Sequence, residues 1–344
     1  MRFPAFPVIG VMKGIVGLVA LLALFAAAPA AAAEKKGLTF GDIAGAIVRI
    51  EAKIKPGART AGSLGLERGG SGVVIGDDGL VLTIGYLIME SEKLTVTTHK
   101  GKTSAAAFVA YDHRTGFGLL RAAGPLNVKP LALGSSAKVK SGAPLLVLST
   151  GNRGSVSPVR VVSRRPFAGY WEYLLDAAIY TMPPHREYGG AALVDLEGKL
   201  MGIGSLFIND ALEPEQVSPG NMFVPIDLLK PILAQMIKSG GSGMPPRPWI
   251  GVYTGESEGR VFVNRVARDG PGAAAGLKPG DIIVGVKGRR VSDMADLFRK
   301  VWSQGDAGVE VPLDVLPFGA EDLQIKKVVI RSRNRHKWLK LGRE

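Results

Sequence analysis

The sequence predicts a mainly β, turn-rich chain of two modest domains, on three observations. Apolar and polar residues alternate at strand period, most clearly over 47–54, where Val48, Ile50, Ala52 and Ile54 share one face and Arg49, Glu51 and Lys53 the other. Short apolar runs are joined by turn dipeptides such as Asp78-Gly79 and Glu197-Gly198, the signature of hairpins. A Gly/Ser stretch passing into prolines at 240–248 then divides the chain, flexible first and stiff after. At 344 residues, with 46% hydrophobic content and 46 glycines, the composition suits compact folds rather than disorder.

From the start of the chain, residues 1–33 read as an export signal. Arg2 and Lys13 supply positive charge, 14–28 is apolar, and Ala31-Ala32-Ala33 offers a small-residue cleavage site. The alternative is an inner-membrane anchor facing the periplasm, since the apolar run approaches the ~18 residues that span a bilayer. The crowded alanines and the acidic Glu34 favour cleavage, and the absence of cysteine fits a periplasmic chain that needs no disulfide.

Beyond a polar lead-in at 34–37, residues 38–46 suit a short helix and 47–54 a first strand. The stretch 56–70, rich in Gly, Arg and Ser, reads as a mobile loop, and 70–83 as a hairpin. Strands follow at 93–98, 104–111, 159–164 and 173–179. Residues 221–240 suit a strand and a closing helix, with Asp227 near its start and Gly240 as its stop. The net charge of +13 is partly gathered at 326–344, where eight Lys and Arg residues stand against Glu344. A solvated basic tail at 334–344 is the expectation; contact with anionic lipid, cell-wall polymer or an acidic partner is the alternative. No nucleic-acid fold signature accompanies the charge.

Residues 176–204 carry the most information. They read as a strand (Asp176-Ala-Ala-Ile), a loop, the pair Gly189-Gly190, and a hairpin through Leu193-Val194 to Gly202-Ile203. This resembles the nucleophile loop of trypsin-like serine proteases in the HtrA (Deg) form, where the loop reads Gly-Asn-Ser-Gly-Gly-Pro-Leu-Val. In that frame the serine position holds Tyr188. The hairpin at 70–83 resembles the opening of the family's first barrel, and the general-base histidine of its Leu-Thr-Asn-Asn-His-Val run falls on Tyr86. The family's Asp-x-x-Thr-Asp-Leu-Ala-Val-Leu is matched by Asp112, Thr115, Leu119 and Leu120, so the orienting aspartate falls on Gly116. The resemblance covers 47–240 and implies two six-stranded antiparallel barrels, a trypsin-like domain over 34–240.

After the linker at 241–248, Trp249-Ile-Gly-Val252 and residues 273–288 resemble a bacterial PDZ domain, expected over 249–333. Such a domain adds an extended peptide to a sheet edge and holds its terminal carboxylate on backbone N–H groups. The resemblance assigns those donors to Ile250, Gly251 and Val252. It assigns walls of the side-chain pocket to the helix at 292–302, among Met294, Leu297, Phe298 and Val301, with Ser292 expected as the cap; the alternative puts half of these in the domain core, and periodicity alone does not separate the two sets.

The three replacements decide the expected chemistry. A serine attacks only when an oriented base takes its proton. A phenol with a pKa of about 10 is a poor base at neutral pH, and a glycine orients nothing. The glycine that shapes the family's oxyanion loop falls on Arg186, and the loop is longer than the family spacing, with the extra residues within 181–185. The sequence therefore points to a pseudoprotease: a periplasmic scaffold, holdase or regulator that binds unfolded or C-terminal peptides and partner proteins. The resemblance implies a homo-oligomer, commonly a trimer, or mixed assembly with an active relative. The alternative is a serine-type endopeptidase rewired around His113 or His185, although no serine adjoins His185 in sequence. No metal-ligand spacing and no phosphate-binding glycine loop is present, so no cofactor is expected.

Overall fold

The computed structural model describes residues 39–151, 156–319, 324–339 and 341; the stretch 1–33, expected to be an export signal, lies outside them. The first helix, α1 (Phe40–Gly45), is fixed at its start by reciprocal bonds between Thr39 and Asp42. The alternating stretch forms β1 (Ile47–Ile54), burying Val48, Ile50, Ala52 and Ile54 and exposing Arg49, Glu51 and Lys53.

The stretch expected as a mobile loop is ordered instead. It holds α2 (Ala61–Leu64) and the start of β2 (Glu67–Val74). The cause is a buried carboxylate: Glu90, fully buried, accepts from the N–H groups of Arg59 (2.9 Å) and Thr60 (2.8 Å) and from the Thr60 hydroxyl (2.6 Å). Arg68, also buried, donates to the Thr60 hydroxyl at 2.8 Å and to the Tyr86 and Met89 carbonyls at 2.8 and 3.2 Å. Polar side chains that read as solvated thus anchor the segment from inside.

With β3 (Leu80–Ile84), β4 (Ser91–Thr97), β5 (Thr103–Tyr111) and β6 (Phe117–Ala122), the first barrel closes in the order β1-β2-β3-β6-β5-β4. The second is built from β7 (Pro144–Leu148), β8 (Val156–Gly169), β9 (Tyr173–Met182), β10 (Ala192–Val194), β11 (Leu200–Ile208) and β12 (Gly220–Pro225), closed as β10-β11-β12-β9-β8-β7. The helix α3 (Leu233–Ser239) ends at Gly240, whose left-handed backbone (φ 80°) turns its N–H onto the Met236 carbonyl.

The remaining chain forms β13 (Val252–Ser257), β14 (Arg260–Val266), α4 (Pro271–Ala274), β15 (Ile282–Val286), β16 (Arg289–Arg290), α5 (Met294–Trp302), β17 (Glu310–Leu316) and β18 (Lys326–Arg331). Its sheet runs β13-β14-β15-β17-β18, with β16 on β15. The cap of α5 is Asp293 rather than Ser292: the Asp293 carboxylate accepts from the Asp296 N–H at 2.7 Å, and Ser292 stands one residue outside. A carboxylate reaches that N–H and adds negative charge at the positive end of the helix.

The expectation of a solvated tail is also corrected. Asn334 caps a last turn, α6 (Arg335–Trp338), and Arg335 and Leu339 are buried. Trp338 packs on Trp249 with ring centroids 4.6 Å apart, and Leu339 joins Met89 and Tyr111 of the first barrel. Tryptophan and leucine carry enough apolar area to dock a segment whose composition is dominated by charge. The linker is held as well: Ala307 N–H donates to the Pro246 carbonyl at 2.8 Å, and the Arg247 guanidinium lies 3.9 Å from the Trp302 ring centre.

Candidate functional site

Tyr86, Gly116 and Tyr188 line one cavity of about 240 Å³. Local bonds bring them there. The turn after β3 carries Tyr86, and the Gly85 N–H donates to the Gly116 carbonyl at 2.7 Å. Asp112 accepts from both the N–H and the hydroxyl of Thr115 at 2.8 Å, shaping the bend that precedes Gly116. The loop bearing Tyr188 is pinned to the first barrel, since the Ser71 N–H donates to the Gly189 carbonyl at 2.9 Å. Gly190 has φ +74°, and a Cβ there would stand 1.9 Å from the Ser71 carbonyl oxygen, so only glycine fits this seam.

The Tyr86 hydroxyl donates to the Ser205 carbonyl at 2.9 Å. Burial first, and the neighbouring Tyr188 phenol second, raise its pKa above the ordinary tyrosine value, so it stays protonated. Gly116 has φ +81°, and a Cβ there would meet the Tyr173 hydroxyl at 3.1 Å. That hydroxyl donates to the Thr115 carbonyl at 2.6 Å. Tyr86 and Tyr188 do not stack on each other. They share the cavity wall with Tyr111, Tyr170, Trp171, Tyr173 and Tyr253, a ring of aromatics that supplies apolar surface and no base. Arg186 is exposed and keeps out of the left-handed backbone region. Among the described residues no three His, Asp or Glu side chains converge to hold a metal ion.

Two histidines were candidates for a relocated base. His113 has the Tyr111 hydroxyl 3.1 Å from Nδ1 and an Arg335 Nη 3.0 Å from Nε2. Arginine only donates, so Nε2 accepts, and burial followed by the Arg335 charge holds the imidazole well below the ordinary histidine value. His185 sits between two serines that its sequence neighbours do not reveal: Ser149 Oγ is 2.9 Å from Nε2 and Ser157 Oγ 2.9 Å from Nδ1. They come from β8 and the end of β7, which the barrel brings alongside the loop after β9. Ser149 also donates to the Glu187 carboxylate at 3.0 Å. In that arrangement Nε2 donates to Ser149, the reverse of what a general base does. Burial lowers the His185 pKa, with Glu187 opposing.

The second constellation lies at the PDZ-like edge. The N–H groups of Ile250, Gly251 and Val252 converge, as expected for a carboxylate cradle, and a carboxylate already occupies them. Glu172, in the turn between β8 and β9, accepts from Ile250 (3.0 Å), Gly251 (2.7 Å) and Val252 (3.1 Å). It is 2% exposed and has a left-handed backbone (φ 58°). Burial pushes its carboxyl up to about 7, against the three N–H groups and the Arg335 charge. Two residues earlier, the Tyr170 carbonyl accepts from the Thr254 N–H at 2.9 Å. Leu297, Phe298 and Val301 are buried in the core of this unit, and Leu174 of β9 packs into the same cluster. Met294 is the part-exposed member, its Sδ 3.3 Å from the Thr254 hydroxyl. Nothing in the sequence marked Glu172; the dense run Tyr170-Trp171-Glu172-Tyr173 was the available signal.

Two closed six-stranded barrels followed by a small sheet with a carboxylate cradle define a trypsin-like peptidase fold joined to a PDZ domain. A trypsin-like peptidase domain matches residues 70–203 and a PDZ domain residues 248–325. A probable periplasmic serine endoprotease, DegP-like, of Brucella suis is 30% identical over 253 residues, covering 67% of this chain and 47% of the relative. A probable periplasmic serine protease, do/HhoA-like, of Haemophilus influenzae is 28% identical over 280 residues, covering 75% and 57%. The chain spans about half the length of these curated relatives. In fold it is similar to the HtrA-type protease AlgW with tripeptide (TM-score 0.51, 20% identity, 86% of this chain and 97% of that one). It is similar also to the serine endoprotease from Yersinia pestis (TM-score 0.51, 24% identity, 86% and 98%). The chain belongs to the HtrA family.

Proposed function

We propose that this chain is a non-cleaving HtrA-family protein of the periplasm that holds polypeptide partners without cutting them. It acts as a scaffold, a holdase or a regulator of an active relative with which it assembles. Its PDZ domain takes C-terminal segments, and its barrels offer an aromatic recess where the relatives named as proteases are expected to cut. The observation that carries the reading is the trio around that recess: a half-buried phenol bonded to the Ser205 carbonyl, a backbone position without a side chain, and a second phenol. None of the three takes a proton from a hydroxyl near neutral pH. Loss of such a unit lowers turnover by about a million-fold.

A rewired endopeptidase is the second reading, favoured by the Ser149–His185–Ser157 contact. Against it, Ser149 and His185 are 6% and 5% exposed, leaving little approach for a peptide bond. Incubating the purified chain with unfolded casein and an irreversible serine-directed probe separates the two. The expected result is intact casein and no labelling. Cleavage or labelling that disappears in His185→Ala or His113→Ala establishes the enzyme instead.

A further inference from the structure

We propose that Glu172 is an internal ligand of the PDZ carboxylate cradle, holding the groove closed until a peptide with a free C-terminal carboxylate displaces it. The proposal rests on the non-cleaving, peptide-holding function above and names how that peptide site is regulated.

The segment 170–174 copies the features by which an extended peptide is held. Its carboxylate takes all three cradle donors, Ile250, Gly251 and Val252, at 2.7–3.1 Å. Its backbone begins a ladder against β13, where the Tyr170 carbonyl accepts from Thr254, as an added strand does. Its apolar side chain, Leu174, is buried among Ile250, Val252, Leu297 and Phe298. An incoming C-terminus needs the same donors, so the two occupants exclude each other.

The mimicry is intramolecular and is held from its other side as well. Arg335 donates to the Trp171 carbonyl, and Arg299 of α5 pairs with Asp176 of β9 at 2.6 Å. That last pair is exposed and contributes little, so the restraint is carried by Glu172 together with Leu174 and the Arg335 bond. The left-handed backbone at Glu172 is a conformation that non-glycine residues adopt only when their surroundings hold them there. The backbone of the cradle requires glycine at 251, where φ is +75° and a Cβ would meet Pro271 Cδ at 2.8 Å.

When the binding-competent form is a minor fraction, apparent affinity falls by that fraction, so a groove less than about a tenth open binds at least tenfold more weakly than a freed one. The test uses the full chain and a fluorescein-labelled peptide ending in an apolar residue with a free carboxylate, read by anisotropy. A C-terminally amidated copy serves as control. Glu172→Ala is expected to bind the free-carboxylate peptide at least tenfold tighter than wild type, Glu172→Gln to fall between them, and the amidated peptide to bind none of the three. Equal affinity of wild type and both variants overturns the proposal, as does failure of the folded variants to bind.

Hydrogen exchange on the wild-type chain needs no variant: saturating peptide should lower the protection of residues 170–174, and unchanged protection overturns the displacement. Mass spectrometry of the recovered peptide keeps the readings apart. A cut peptide sinks the non-cleaving function and leaves the gating intact, whereas an intact peptide bound equally by all variants sinks the gating alone.

Discussion

Reinstating the family's three groups, by Tyr86→His, Gly116→Asp and Tyr188→Ser, should not restore proteolysis. The obstacle is at Gly116. Its backbone is left-handed (φ +81°), which costs a side-chain-bearing residue about 1–2 kcal/mol. The new Cβ would also come within 3.1 Å of the Tyr173 hydroxyl and 3.4 Å of Ile84 Cδ1, so the carboxylate starts from a crowded point. If it fails to orient the imidazole, turnover falls by about four orders of magnitude, even with a serine and a histidine in place. Arg186 adds a second defect, because it replaces the glycine expected to shape the oxyanion loop. Gly116→Asp alone should lower the melting temperature by roughly 2–8 °C, at about 2–4 °C per kcal/mol for a chain of this class. The triple variant should match a no-enzyme blank in a quenched-fluorescence casein assay. Casein turnover by the triple variant within a thousandfold of an active relative would refute this reasoning.

Three further outcomes follow from buried charges and the seam between the barrels. His113, His185 and His336 are all held below 6.5 chiefly by burial, so the unfolded chain binds their protons first, and stability present above about pH 6.5 is lost as pH falls. Glu172 opposes them: raised from 4.5 to about 7, it favours the fold below about 4.5 and loses that contribution as pH rises through 7. Three against one, denaturant titrations between pH 6.5 and 5 should show stability falling with acid, at most ~1.4 kcal/mol per pH unit for each uncompensated histidine, and more steeply in Glu172→Gln; a flat profile counts against these burials. Glu90→Ala strips the acceptor from the Arg59 and Thr60 N–H groups and the neighbouring countercharge from buried Arg68, and should cost about 3–5 kcal/mol in chemical denaturation. A loss below about 1 kcal/mol would show that the segment 56–70 is held by something else. Gly190→Ala, which drives a Cβ into the Ser71 carbonyl, should cost at least ~2 kcal/mol and broaden the NMR signals of the Tyr188 loop; a neutral outcome would contradict the seam described between the barrels.

Much of the fold was legible because its signals are local. The alternation over 47–54 gave β1 to the residue, and Asp78-Gly79 and Glu197-Gly198 marked turns whose glycines have φ of +76° and +80°. The hydrophobic frames around Tyr86, Gly116 and Tyr188 located three positions that the structure gathers on one cavity. What stayed hidden depends on long-range pairing of polar groups. Glu90 reaches residues thirty positions away, and Ser149 meets His185 across thirty-six. Charged segments read as solvated because composition records a side chain's polarity and not its partner. That is why 56–70 reads as a mobile loop and 334–344 as a solvated tail, whereas Thr60, Arg68, Arg335 and Leu339 are buried. Glu172 is the extreme case, since an acidic residue in a hairpin turn is ordinarily exposed and only the fold places three N–H groups opposite it.

The strip from Tyr170 to Tyr173 has two faces. One seats Glu172 among the cradle amides; the other presents Tyr170, Trp171 and Tyr173 to the recess shared with Tyr86 and Tyr188. Lifting the strip for an incoming C-terminus therefore remodels the aromatic wall on its far side. By thermodynamic reciprocity, whatever settles in that recess must favour or oppose peptide capture by the same factor with which peptide favours or opposes it. If Glu172 gates the cradle as proposed, a hairpin of a few residues makes one see-saw of the two sites.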